Sequence, residues 1–141
     1  MDNRVIAAYQ QLGFKLVVDP SVNYSGYFDA RSRSITMKQI DDSVYHELGH
    51  FLAFIAGNVD KTASFQSIFV AEKANVTAFN KAYVTQNASE YFAESVKDYI
   101  LNNASLKNTR PQTYAAVQNA LNQITDAQIA KIQKIYGAFW N

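Results

Sequence analysis

The sequence predicts an α+β fold, mainly helical, with a small β-sheet near its N-terminus. Three observations predict it. Apolar residues recur at helical spacing before residue 13 and again through most of the chain after residue 41. Between those stretches Ile35 and Met37 alternate with Ser34 and Thr36, the two-residue period of a half-buried strand. The chain has 141 residues, 48% hydrophobic and 13% aromatic, which supplies one ordinary core and reads as a single domain over 1–141.

The elements follow in order. In "NRVIAAYQQLGF", Val5, Ile6, Tyr9 and Leu12 share a helix face, and Gly13 is its stop. "KLVVD" is a short strand closed by Asp19-Pro20, and "SVNYSG" is turn-like. "GYFDARSRSITM" holds two extended pieces around a polar turn. Asp41, Asp42 and Ser43 are N-cap residues for a helix running to about Ile55, with Gly57 as its C-terminal cap. "TASFQSIFVAEK" is helical with Phe65, Ile68 and Phe69 inward, whereas "ANVTAFNKAYVTQN" has no period and reads as loop. Asn87 or Ser89 caps the helix "SEYFAESVKDYIL", and "NNASLKNTR" is a polar connection. Pro111 suits the first turn of a helix carrying Tyr114, Val117 and Leu121 on one face. Thr125 and Gln128 form a capping box for a last helix with Ile129, Ile132 and Ile135.

Composition excludes several functions. A net charge of +1 offers no field for nucleic acid or an anionic membrane surface. The absence of cysteine excludes disulfides, thiolate-held zinc and iron-sulfur clusters. No stretch approaches the roughly 20 apolar residues of a membrane span, so membrane insertion is not expected. Residues 1–11 carry Asp2 and Arg4 without a long apolar run and do not read as a signal peptide.

Both histidines of the chain lie in "VYHELGHFL". On a helix His46 and His50, four residues apart, share a face and can reach one ion. Val44, Leu48, Phe51, Leu52 and Ile55 form an apolar stripe on the other side, which predicts a helix buried along that stripe with its histidine face open. His46-Glu47-Leu48-Gly49-His50 fits HExxH, in which two imidazoles hold zinc and the glutamate takes a proton from the attacking water. Zinc takes about four ligands and a catalytic site keeps one for water, so a third protein ligand is needed. With no third histidine it must be a carboxylate: Asp60, Glu72, Glu90, Glu94, Asp98 or Asp126. Glu90 and Glu94, one turn apart on one helix, stand out, and spacing does not choose between them.

"HELGHF" followed by "NASEYFAESVKDYI" resembles the catalytic domain of anthrax lethal factor and the Pro-Pro endopeptidases, in which HExxH precedes a segment of the type E-F-F-A-E. "PQTYAAVQNAL" is similar to a later stretch of the same endopeptidases. The resemblance implies a zincin-like metallopeptidase domain, secreted, with one zinc ion per chain held by His46, His50 and Glu90. It implies Glu47 as general base, Glu94 as a carboxylate orienting a ligating imidazole, and Tyr83, seven residues before Glu90, as donor to the oxyanion. The family's tryptophan-bearing loop before the motif has no counterpart, since Trp140 is the only tryptophan, so the resemblance does not extend to cleavage between prolines.

The expected activity is peptide-bond hydrolysis on a substrate in extended conformation. "SRSITMK" is the expected edge strand for it, and Tyr27 and Phe28 line either the cleft or the core. The rival readings are a zinc-binding but inactive module, separated by a peptide digest, and a metal-free helical interaction domain, separated by metal content. Oligomeric state has no signature here.

Overall fold

Local capping starts the chain. Asp2 accepts a hydrogen bond from the backbone N–H of Arg4 at 2.8 Å and opens helix α1 (Asn3–Gln11). Val5, Ala8 and Tyr9 face inward, while Ile6 is 37% exposed, so the buried face is narrower than the apolar spacing suggests. Gly13, at φ 79°, turns the chain so that Phe14 enters the core. The computed structural model describes residues 1–140.

Three strands follow, β1 (Lys15–Val18), β2 (Gly26–Asp29) and β3 (Ser34–Met37), in the order β1-β3-β2. β1 runs parallel to β3 with Leu16 opposite Ile35; β2 runs antiparallel with Phe28 opposite Ile35. This corrects the edge-strand expectation. The strand that leads into the histidine helix is the central one, because residues 19–25 loop round and let β1 and β2 occupy both its sides. Ile35 and Met37 are buried as expected. The free edge beside the helix belongs to β2, where Phe28 packs inward and Tyr27 points out beside Tyr24.

Helix α2 (Ser43–Ile55) is started by Asp41, whose Oδ1 accepts from the Ser43 backbone N–H at 2.9 Å and from its hydroxyl. It ends as foreseen at Gly57, φ 80°: the Asn58 N–H reaches the Ala53 carbonyl at 2.9 Å and the Gly57 N–H reaches Phe54 at 3.3 Å, the paired bonds of a Schellman turn. Helix α3 (Ala63–Glu72) is capped by Thr62; Phe65 and Phe69 are buried and Ile68 half-buried.

Two expected loops contain helices. Residues 74–87 include the short α4 (Lys81–Val84). "NNASLKNTR" forms α6 (Asn103–Thr109), which lies between α5 (Ala88–Leu101) and α7 (Pro111–Asn122). A seven-residue helix with one buried side chain, Leu106, leaves no apolar period to read. Asn87 caps α5, accepting from the Glu90 N–H at 2.8 Å. In α8 (Asp126–Trp140) the capping box is half made: Thr125 accepts from the Gln128 N–H at 3.1 Å, but the Gln128 side chain donates instead to the Ile55 carbonyl at 2.8 Å, tying α8 to the end of α2. Ile129 and Ile132 are buried; Ile135, expected inward, is 51% exposed.

α2 is the centre of the molecule. Nine of its residues are buried, His46 and Glu47 among them, while His50 is half-buried, so the histidine face is more covered than expected. α5 lies over it and the sheet, α7 and α8 close the rest. An aromatic cluster of Phe14, Phe28, Phe51, Phe54 and Trp140 locks the sheet to α2 and α8, and the Trp140 indole N–H donates to Ala30 at 3.0 Å. Among the described residues no helix is long and apolar enough to cross a membrane.

Candidate metal centre

The site is made where α2 and α5 cross. A Cβ at Gly49 would lie 2.6 Å from the Ala93 carbonyl oxygen and 2.8 Å from its Cα, so only glycine permits this approach of backbone to backbone. Glu90 and Glu94 lie on either side of Ala93 in sequence, and the close crossing delivers both to the histidines of α2.

The His46 and His50 rings sit 5.0 Å apart at 81°. Glu90 bridges them, with Oε2 at 3.0 Å from His46 Nε2 and Oε1 at 3.1 Å from His50 Nε2. Glu94 Oε1 stands 2.9 Å from His46 Nδ1. The donor atoms of His46, His50 and Glu90 all lie within 4.8 Å of one another, the one such group of three metal donors among the described residues. These three residues are positioned to bind a metal ion.

The other carboxylate candidates are engaged elsewhere or lie outside this group. Glu72 accepts from the N–H groups of Gln112 and Thr113 at 3.1 and 2.8 Å and from the Thr113 hydroxyl at 2.7 Å, capping α7. Asp98 pairs with the buried Arg110 at 2.5 Å. Asp60 and Asp126 sit on the turn Val59–Lys61 and at the start of α8.

Charge in the cluster is tightly coupled. Burial works against a protonated His46, but the hydrogen-bonded carboxylates of Glu90 and Glu94 outweigh it and raise its pKa to about 9. Both its ring nitrogens face carboxylate oxygens, so the metal-free ring is held as the cation with two donating N–H groups. Burial pushes the Glu90 and Glu94 carboxyls up, yet the imidazole partners win and both end below the ordinary carboxylate range. Glu47 goes the other way: burial dominates and holds its carboxyl up, against the pull of His46 and His50.

Tyr83, at the end of α4, is 56% exposed with its ring 6.4 Å from that of His46. Partial burial, then the Glu90 charge, raise its phenol. Phe28 stacks on His50 at 6.5 Å and 17°, so of the two aromatics on β2 Phe28 belongs to the core and Tyr27 to the surface.

Gly26 is a residue that sequence reasoning passed over. A Cβ there would come 2.9 Å from Glu47 Cγ and 2.9 Å from Met37 Sδ, so the start of β2 is kept bare to make room for the glutamate. A glycine opening a strand pattern was the available signal. A cavity of about 370 Å³ opens against His46, Glu47 and Tyr83, with Gly26 on its wall.

A family model described as anthrax toxin lethal factor, N- and C-terminal domain, matches residues 22–120, a span holding every residue of the cluster. No curated protein matches the chain.

Proposed function

The chain belongs to the anthrax toxin lethal factor family, and from that premise we propose that it is a zinc-dependent endopeptidase. The observation that carries the reading is the convergence of His46, His50 and Glu90. Two imidazoles and a carboxylate are a donor set that suits zinc and leaves a coordination position for chemistry. Glu94 behind His46 adds the carboxylate–imidazole pairing common around such ions. The family description spans two domains; this donor set, together with a glutamate beside its first histidine, supports a catalytic, zincin-like one with one zinc per chain.

When bound, zinc supplies Lewis acidity toward a water and toward the scissile carbonyl. The chain's own residues do the rest. Glu94, at 2.9 Å from His46 Nδ1, fixes the ring, and Nε2 would be the nitrogen left to hold the ion. Glu47, its carboxyl raised by burial toward the working pH, takes a proton from the attacking water and returns it to the leaving amine. Tyr83, whose raised phenol stays protonated at neutral pH, donates to the oxyanion. The free edge of β2 pairs with the substrate, a peptide or protein in extended conformation, where Gly26 lets both backbone and Glu47 come close. Nucleic acid and membrane insertion have no part in this reading, and the secreted location rests on the family resemblance alone.

The cavity against His46, Glu47 and Tyr83 weighs against a binder with a blocked cleft. A randomised peptide library separates the two: the zinc-loaded chain cleaves it, a chelator stops cleavage, and Glu47→Gln keeps zinc while losing at least about a hundredfold in rate. An active Glu47→Gln protein removes the general base; a wild type that cleaves nothing removes the peptidase.

A further inference from the structure

The cavity at the cluster does not end there. A second one, about 510 Å³, runs on past Leu106 and Thr109, and the two share Ser25, Ser43, Asn80, Glu94 and Lys97. They form one groove leading away from His46 along α5.

Two carboxylates on this groove are held in ion pairs, while Glu47 at its head makes none among the described residues. Glu94 is held by His46, and Asp98 by Arg110. Lys97 is half-buried in the groove wall, and among the described residues it makes no ion pair, with Glu94 or with any other carboxylate. The Glu94 and Asp41 carboxylates lie within electrostatic reach of Lys97 without contacting it; a cation not held in contact, on the wall of a groove that starts at a candidate active site, is placed to meet a carboxylate brought by a ligand.

Its distance from the metal donors sets where that carboxylate lies. Lys97 follows Glu90 by seven residues on α5. At about 1.5 Å per residue that is about 10 Å along the helix axis, and an extended peptide advances about 3.3 Å per residue. That offset along α5, from the metal-donor position Glu90 to Lys97, matches about three substrate residues.

We propose that Lys97 reads an acidic side chain, so that the groove selects peptides with an aspartate or glutamate about three residues from the scissile bond. The inference rests on the peptidase reading for the bond but not for the charge preference. A part-exposed ion pair of this kind gives about a two- to fivefold preference, larger at low salt.

The test uses the zinc-loaded full chain, wild type and Lys97→Glu, on a randomised peptide library with cleavage positions read by mass spectrometry. In a parallel arm, zinc-loaded Glu47→Gln protein, with and without Lys97→Glu, retains peptides from the same library. Wild type is expected to enrich Asp and Glu about two- to fivefold at a position about three residues from the cut. Lys97→Glu is expected to exchange that preference for Lys and Arg, a reversal that a lysine merely balancing Glu94 does not produce. Lys97→Gln, which abolishes the preference without reversing it, serves if Lys97→Glu does not fold. Cleavage with no acidic preference, or with the same preference in the Lys97 variants, overturns the proposal and leaves the peptidase standing. No cleavage, with charge-reversible retention in the second arm, overturns the peptidase and supports Lys97. Neither cleavage nor charge-dependent retention overturns both.

Discussion

Two carboxylates on core helices, Glu72 buried and Glu90 half-buried, are held in opposite ways. Glu72 lies at the start of α7 among donors that cannot titrate: two backbone N–H groups and a threonine hydroxyl. Glu90 lies against two imidazole nitrogens, at 3.0 Å from His46 and 3.1 Å from His50. The first arrangement is complete in the folded chain and has no use for a further ligand. The second holds positive charge on His46 that a divalent ion can replace, since ligation requires a neutral imidazole. Burial of a charge therefore does not mark a functional site; the nature of its partners does.

The largest effect should come from exchanging these two carboxylates for alanine. Glu90→Ala is expected to keep the fold and weaken zinc binding by at least about a hundredfold, as loss of a direct ligand exceeds the 10–100-fold typical of outer contacts. Glu72→Ala is expected to lower stability by about 2–3 kcal/mol, leaving buried donors unpaired, with zinc per folded chain unchanged. Isothermal titration and denaturant melts read the two axes, and a Glu72→Ala protein that folds but loses zinc would erase the distinction.

Next is Glu94→Ala, which frees His46 Nδ1 and is expected to cost about 10–100-fold in zinc affinity. Gly49→Ala should follow: the added methyl meets the Ala93 backbone, overpacking the crossing by about 1–3 kcal/mol, and it moves Glu90 away from the histidines without touching a ligand. Zinc affinity matching wild type in Gly49→Ala would show that the crossing distance is not what sets the site.

The smallest effect is the pH response of the metal-free chain. His46 rises from 6.5 to about 9 on folding, so its stabilisation is full below pH 6.5 and lost as pH climbs through about 9. Glu90 and Glu94 are lowered from 4.5, so theirs is full above that value and lost on acidification, an arm that the raised Glu47 dulls. Chelator-treated protein should thus melt highest between about pH 4.5 and 6.5, and His46→Gln should flatten the alkaline fall. An unchanged alkaline slope in that variant would take the ion-paired His46 out of the account.

Much of this was legible in the chain. The spacing of His46 and His50 and the caps at Asp41 and Gly57 carry α2, and the alternation at Ile35 and Met37 carries β3, because both signals are local. Strand order was not, since β3 pairs with β1 and β2 through contacts that no period records. Nor was the burial of His46, whose ring is covered by Glu90 and Glu94, 44 and 48 residues away. Spacing left Glu90 and Glu94 equivalent, and family resemblance separated them; the geometry gives the physical difference, one carboxylate spanning both imidazoles and the other behind one of them. α6 stayed hidden because its stability rests on one leucine and on neighbours at both ends.

The most direct measurement is zinc per chain, by elemental analysis of protein purified without a metal-affinity tag, with Glu90→Ala alongside. The account predicts about one zinc in the wild type and almost none in the variant. A wild type without zinc, and taking up none when it is supplied, would contradict it and leave His46, His50 and Glu90 as a part-buried polar cluster of purely structural use.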